Sequence, residues 1–291
     1  MKSEKIIVTG SSGQLGTALY EISGQNDDLE WVFLGRSDLD ITDSGKVDSF
    51  FQKNCDRRSV IINCAAYTDV ERAEDEPEKA FRINRDGVSN LAKASEKYSC
   101  SLIHISTDFV FNGRKSLPYN EGDEPDPLSV YGKSKHEGEL EVMSVKSNCM
   151  IIRTSWLYSA THNTFVKKVL ARAENSDRIN VVSDETGSPT SSDSFAADIV
   201  RIVTHIINAD DFSTDIFHYC NTGHVSRYGF AQKIIDFAGK DTAVFPILSK
   251  DLGLKAKRPA NSALCTGKIS DRFGLKIKTW QEALKDTLAV M

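Results

Sequence analysis

The chain has 291 residues, 40% apolar and 26% charged, with a net charge of −5 and a pI near 5.7. That length holds one large domain or two intertwined ones around a sizeable core. The acidic balance excludes a general nucleic-acid binder, because the densest basic run, "KAKRP" at 255–259, is adequate only for one diphosphate.

The N-terminus "MKSEKIIVTG" enters a short strand at once. An apolar signal core of about 7–15 residues is missing, as is a span of about 18 for a membrane, so a reducing cytoplasm is expected. The six cysteines (55, 64, 100, 149, 220, 265) show no C-x-x-C and read as buried free thiols. The six histidines are scattered and H-E-x-x-H is absent, so no metal site is read, and a structural Mg2+ is left undecided.

In chain order, apolar runs at 5–9, 31–34, 60–64, 102–106 and 150–154 alternate with helical periods at 14–22, 44–54, 78–97 and 129–145. Such alternation predicts an α/β fold, a Rossmann-type doubly wound parallel sheet covered on both faces. After Tyr158 the pattern loosens. "GSPTSSDS" at 187–194 reads as a loop entering a helix, and 216–221 as one more strand. Short helices and loops then suggest a smaller appended domain.

Three glycines, Gly10, Gly13 and Gly16, separate the first strand from the first helix in "IIVTGSSGQLGTAL". Their spacing suits a tight turn, close approach of a pyrophosphate and close helix–strand packing, with N–H groups offered by the helix start. Ser12, Gln14 and Leu15 belong to the same cradle. A merely tight turn would look similar, but the position inside a βαβ unit favours a dinucleotide. At the end of strand two, where an NAD-specific site needs a carboxylate, stands Arg36, which suits a 2′-phosphate. Asp40 and Ile41 follow, on the expected adenine side.

Tyr131 and Lys135 in "VYGKSKHEGELE" are one helical turn apart and share a face. A nearby ammonium favours the phenolate, so this pair suits proton transfer. Thr107, at the end of the fourth apolar strand in "HISTDFVF", can orient a carbonyl.

Together these residues resemble the extended short-chain dehydrogenase/reductase superfamily. "STDFVFNG", "PLSVYGKSKHEGE", "RTSWLY", "GSPT" and "RPANS" further resemble, in order and wording, the dTDP-4-dehydrorhamnose reductase family over essentially the whole chain. The resemblance implies NADPH or NADH as cofactor and reduction of the C4 ketone of a dTDP-linked 6-deoxy-hexulose, most simply dTDP-4-dehydro-L-rhamnose. It implies catalysis by Thr107, Tyr131 and Lys135, with Tyr131 and Lys135 also on the cofactor. Ala65, Ala66 and Tyr67 of "NCAAYTDVERAEDEP" would let the cofactor pass closely. Asp108, Phe109, Val110, Trp156 and Arg258 would join Thr107 and Tyr131 on the substrate, while Asn84 would only stabilise a loop. Residues 1–157 with 191–222 would form the dinucleotide domain, and 158–190 with 223–291 the substrate domain. No nucleic acid or membrane partner is implied, and a homodimer is left open.

Rival readings differ in particular residues. A sugar-nucleotide dehydratase of this fold carries an Asp-Glu pair after the threonine, whereas Asp108 is followed by Phe109. An epimerase would carry other residues around Thr107. A regulatory subunit resembling the methionine adenosyltransferase β subunit would keep the dinucleotide site, but "RTSWLY" and "GSPT" follow the reductase pattern. Reductases of other dTDP-4-keto sugars would share all these motifs.

Overall fold

The Ile- and Val-rich runs become strands because β-branched side chains suit a pleated surface buried on both faces. The computed structural model describes residues 4–24, 29–146, 148–209, 212 and 214–291. In it β1 (Glu4–Thr9) enters α1 (Gln14–Ser23), followed by β2 (Leu29–Leu34), α2 (Ser44–Asn54) and β3 (Ser59–Asn63). Next come the short α3 (Val70–Ala73) and α4 (Pro77–Phe81), α5 (Gly87–Tyr98), β4 (Ser101–Thr107), α6 (Val130–Ser144) and β5 (Cys149–Thr154). The chain continues through β6 (Leu157–Tyr158), α7 (Phe165–Glu174), β7 (Arg178–Val182), β8 (Thr186–Gly187), β9 (Thr190–Ser191), α8 (Ser192–Ala209) and β10 (Asp215–His218). It ends with β11 (Val225–Ser226), α9 (Arg227–Phe237), β12 (Ala243–Ile247), α10 (Gly267–Phe273) and α11 (Trp280–Ala289).

Six of these strands form one parallel sheet in the order β2-β1-β3-β4-β5-β10. Strand periodicity divides its side chains between two cores. Ile6, Val8, Ile62 and Ile152 face α1, α8 and α10 through Leu19, Phe195, Ile199 and Phe273. Ile7, Ile61, Leu102 and Ile151 face α2, α5 and α6 through Phe51, Val88, Leu91 and Val142. The order reverses between β1 and β3, which opens a crevice at the carboxyl ends of the strands. A separate cluster around the β7–β12 pair joins α7, α9 and α11 through Val166, Val169, Ile179, Phe230, Ile234 and Leu284. Among the described residues no helix is long and apolar enough to cross a membrane.

The helix expected at 78–97 is interrupted by a π-helical turn at Arg82–Asp86. The cause is Asn84, which is fully buried and bonds both the N–H (2.8 Å) and the carbonyl (3.0 Å) of Tyr67, and the Ser134 hydroxyl on α6 (3.0 Å). One extra residue in the turn lets this amide reach both neighbours.

The buried side of α6 is small and polar: Gly132, Ser134, Lys135, Gly138 and Glu139, with Val142 beyond them. A Cβ on Gly132 or Gly138 would collide with the carbonyl oxygens of Phe109 and Asn84 respectively, so the helix lies unusually close to its support. Glu139 accepts from Arg153 Nε at 2.8 Å and Nη2 at 2.7 Å, and from the Ser106 hydroxyl at 2.5 Å, tying α6 to β4 and β5. Burial pushes the Glu139 carboxyl up, but its hydrogen bonds and the charge of Arg153 outweigh this and hold it at about 2. The resulting stability is therefore present above the ordinary carboxyl range and lost as pH falls towards about 2. Glu139→Gln should cost about 3–5 kcal/mol, because it leaves the Arg153 charge buried and unpaired. Urea unfolding checks this at neutral pH. A midpoint within experimental error of the wild type would show that the pair holds nothing in place.

Candidate active site

The glycine turn is shaped by contact. Gly10 has φ +69°, and a Cβ there would lie 2.5 Å from the Ala65 nitrogen. A Cβ on Gly16 would lie 2.5 Å from the Gly10 carbonyl oxygen. Only glycine lets β1, the 64–67 loop and α1 approach so closely. Gly13 caps α1 with no side chain over the helix end, leaving the first N–H groups to an incoming anion. Gln14 Oε1 is buried with no partner among the described residues, and Ser12 is exposed, its carbonyl 3.1 Å from His162 Nε2. These features fit a dinucleotide diphosphate.

Other expected cofactor residues divide between surface and core. Arg36 is 66% exposed and pairs with Asp40 at 3.5 Å, and the Asp40 carboxylate also accepts the N–H and O–H of Thr42. Ala65 and Ala66 are half-buried beside the turn. Tyr67 is held through its backbone by Asn84 and through its hydroxyl by Glu76 at 3.0 Å. Leu15 and Ile41 are buried in the two sheet cores, and the Ile41 carbonyl accepts from Asn90, so any contact they make with a ligand is not through exposed side chains.

Thr107, Asp108, Phe109 and Tyr131 come together at the carboxyl end of β4. The Thr107 hydroxyl donates to Asp108 Oδ1 at 3.1 Å and accepts the Phe109 N–H at 3.2 Å. The Phe109 ring meets Tyr131 edge-on, with centroids 5.7 Å apart. Burial pushes the Tyr131 phenol up to about 12; the Thr107 hydroxyl acts in the opposite sense and Asp108 adds to the rise. Burial also raises Asp108 to about 6 against the hydroxyls of Ser262 and Thr107 and the charge of Arg227, and its Oδ2 has no partner among the described residues.

Lys135 stands one turn from Tyr131, as the spacing requires, but its Nζ points to the sheet. It donates to the Ile105 carbonyl at 2.7 Å and lies 3.3 Å from His104 Nε2. In this arrangement it does not lower the Tyr131 pKa as expected from sequence. Burial brings Lys135 itself down to about 8.

On the opposite wall, Trp156 has φ +45°, a strained value for a side chain of its size. Its ring occupies the space that a Cβ on Gly187 would need. Arg227, which sequence reasoning missed, stacks on that ring at 3.9 Å and donates to Glu185 at 3.0 Å. It is the first residue of α9, after the Ser226 cap, and nothing in "VSRYG" marks it. Arg258 donates to Glu71 at 3.0 Å, with its Nε buried and without a partner among the described residues. Val110 lies in a core cluster with Phe111 and Tyr119, away from the crevice surface.

The remaining motifs are joints. Gly113 of "FNG" (φ +78°) packs on Pro259 and Ala260 of "RPANS", and Asn261 donates to the Lys115 carbonyl at 2.7 Å. Cys100, Cys149 and Cys220 are buried as read, Cys55 and Cys64 partly so, and Cys265 is exposed. Among the described residues no three His, Cys, Asp or Glu side chains gather to hold a metal ion.

Comparison with known proteins shows the family. Residues 4–291 match the family described as RmlD substrate binding domain. The chain is 39% identical over 291 residues to a dTDP-4-dehydrorhamnose reductase from Aggregatibacter actinomycetemcomitans, covering 98% of each. It is 37% identical over 286 residues to that of Sinorhizobium fredii, covering 97% of this chain and 95% of the relative. The crystal structure of the Bacillus anthracis dTDP-4-dehydrorhamnose reductase in complex with NADP superposes with a TM-score of 0.92 at 34% identity, over 100% of both chains. The chain therefore belongs to the dTDP-4-dehydrorhamnose reductase family.

Proposed function

We propose that this protein is a cytoplasmic NADPH-dependent reductase of the C4 ketone of dTDP-4-dehydro-L-rhamnose, yielding dTDP-L-rhamnose. The observation that carries this reading is the convergence of Thr107, Asp108 and Tyr131 beside the glycine turn, in a chain matching reductases along its whole length. Residues 1–157 with 191–222 hold the dinucleotide, and 158–190 with 223–291 the sugar nucleotide. Within the latter span, α10 packs on the sheet rather than on the smaller cluster.

When bound, NADPH supplies the hydride that becomes the new hydrogen at C4. The Tyr131 phenol, protonated at neutral pH and held more firmly so by burial, gives its proton to the developing alkoxide, a stronger base than phenolate. Thr107 donates a hydrogen bond to the same oxygen once its hydroxyl turns from Asp108. Phe109 places an apolar edge against Tyr131 where a dehydratase needs a second carboxylate. Trp156, backed by Arg227, offers a flat face to the sugar, and Arg258 offers a donor to the diphosphate once Glu71 yields it.

Tyr131→Phe keeps the ring and removes the proton. With dTDP-4-dehydro-L-rhamnose and NADPH, turnover should fall about 10²–10⁴-fold while cofactor affinity barely changes. Nicotinamide absorbance measures the first and fluorescence titration the second; near-normal turnover would remove Tyr131 from the chemistry. An active wild type would also separate the reductase from a regulatory subunit.

Arg36 is exposed and shares its charge with Asp40, so a 2′-phosphate there should gain only the lower end of a charge-assisted hydrogen bond, about 1.5 kcal/mol. NADPH should accordingly be preferred over NADH by about 10-fold in kcat/KM. Arg36→Ala should remove that preference by weakening NADPH alone. Equal use of both cofactors by the wild type, unchanged in the variant, would leave Arg36 as a surface charge.

A further inference from the structure

The polar chain behind Lys135 settles which atoms carry protons. Asn63 ends β3, and its Oδ1 accepts from the Ala65 backbone N–H at 3.1 Å and the Thr9 hydroxyl at 2.7 Å. A backbone N–H can only donate, so this amide cannot be turned round, and its Nδ2 faces His104 Nδ1 at 3.0 Å. Nδ2 also only donates. His104 Nδ1 is therefore an acceptor, and the neutral ring carries its proton on Nε2.

That Nε2–H points at Lys135 Nζ, 3.3 Å away. An ammonium has three donors and no lone pair, so it would set N–H against N–H. A neutral amine satisfies both neighbours, donating to the Ile105 carbonyl and accepting from His104. Charging the ring instead is costly, because His104 is fully buried; burial and then the neighbouring Lys135 hold it well below its ordinary value.

We propose that His104 is a positioning residue whose Nε2–H favours the neutral amine of Lys135 over its ammonium, with Thr9 and Asn63 setting the ring for that task. The other groups facing Lys135 are compatible with this. Glu139, one turn along α6, favours the ammonium, but its oxygens are engaged by Arg153 and Ser106. The Cys64 thiol at the end of β3 and the Tyr131 phenol are each pushed up to about 12 by burial and stay neutral. A ligand that needs the ammonium, such as a ribose diol or a Tyr131 phenolate, must draw Lys135 off His104. Freed of that contact, Lys135 keeps its proton to higher pH. This consequence rests on the reading of Lys135 as a functional group; the assignment of protons does not.

Two measurements test it. Long-range ¹⁵N–¹H correlations on ¹⁵N-histidine-labelled full-length protein without added nucleotide, assigned with His104→Asn, should show the Nε2–H tautomer from about pH 6 to about pH 9. A proton on Nδ1, or a charged ring, would overturn the proposal. The pH profile of kcat/KM for NADPH reports groups of the free enzyme, so its alkaline limb should lie near the Lys135 value of about 8. His104→Asn keeps an acceptor for Asn63 but does not reach Lys135, and should move that limb up by about one pH unit or more. His104→Gln places an amide N–H near the Nε2 position and should leave the limb where it is. A limb that stays in both variants, or moves equally in both, would reduce His104 to packing. Because the tautomer is read without turnover, a protein with no reductase activity would still decide the proton assignment.

Discussion

The buried pair of Glu139 and Arg153 is the constraint on which the site depends. Helix α6 carries Tyr131 and Lys135, yet its inner face offers little apolar surface to drive packing. Small residues bring it close, and the two-pronged guanidinium–carboxylate contact then fixes how far along the sheet it sits. Apolar packing alone tolerates sliding by a fraction of an ångström; two parallel charge-assisted hydrogen bonds do not. The register of Tyr131 against Thr107 follows from that contact, made two turns further along the same helix.

Burial supplies the other half of the chemistry. Tyr131, Lys135, Asp108 and His104 all lie where charge is poorly solvated, and each is displaced towards its neutral form. Groups displaced towards neutrality in this way can exchange protons with smaller energetic steps than a set of fixed charges, which would have to be reorganised at each one. Glu139 beside them is instead held towards its charged form, and its charge is matched by Arg153.

Much of this was legible in the sequence, for physical reasons. The sheet strands show as Ile/Val runs because both faces are covered, and Gly10 and Gly16 show because no side chain fits their places. Tyr131 and Lys135 show because one turn of helix is visible as spacing. Other features leave no local trace. The inner face of α6 reads as solvated because Ser134, Lys135 and Glu139 are polar. Arg227 meets Trp156 and Glu185 only through tertiary folding. Ile41 and Val110 sit in sequence beside positions read as ligand-facing, but strand and turn geometry directs their side chains to the core. Lys135 points to the sheet, where it meets the Ile105 carbonyl and His104 of β4, far off in sequence.

The π-helical turn at Arg82–Asp86 also sets a rotational phase. Successive residues of a regular α-helix advance by about 100°, so the extra residue offsets α5 from α4 by roughly that angle. On one side of the offset Asn84 meets Tyr67 and Ser134; on the other Val88 and Leu91 meet the sheet. A helix regular throughout could satisfy one of these faces but not both. The length of this segment is therefore fixed as firmly as its composition, and a one-residue deletion there would force a choice between the loop that holds Tyr67 and the core.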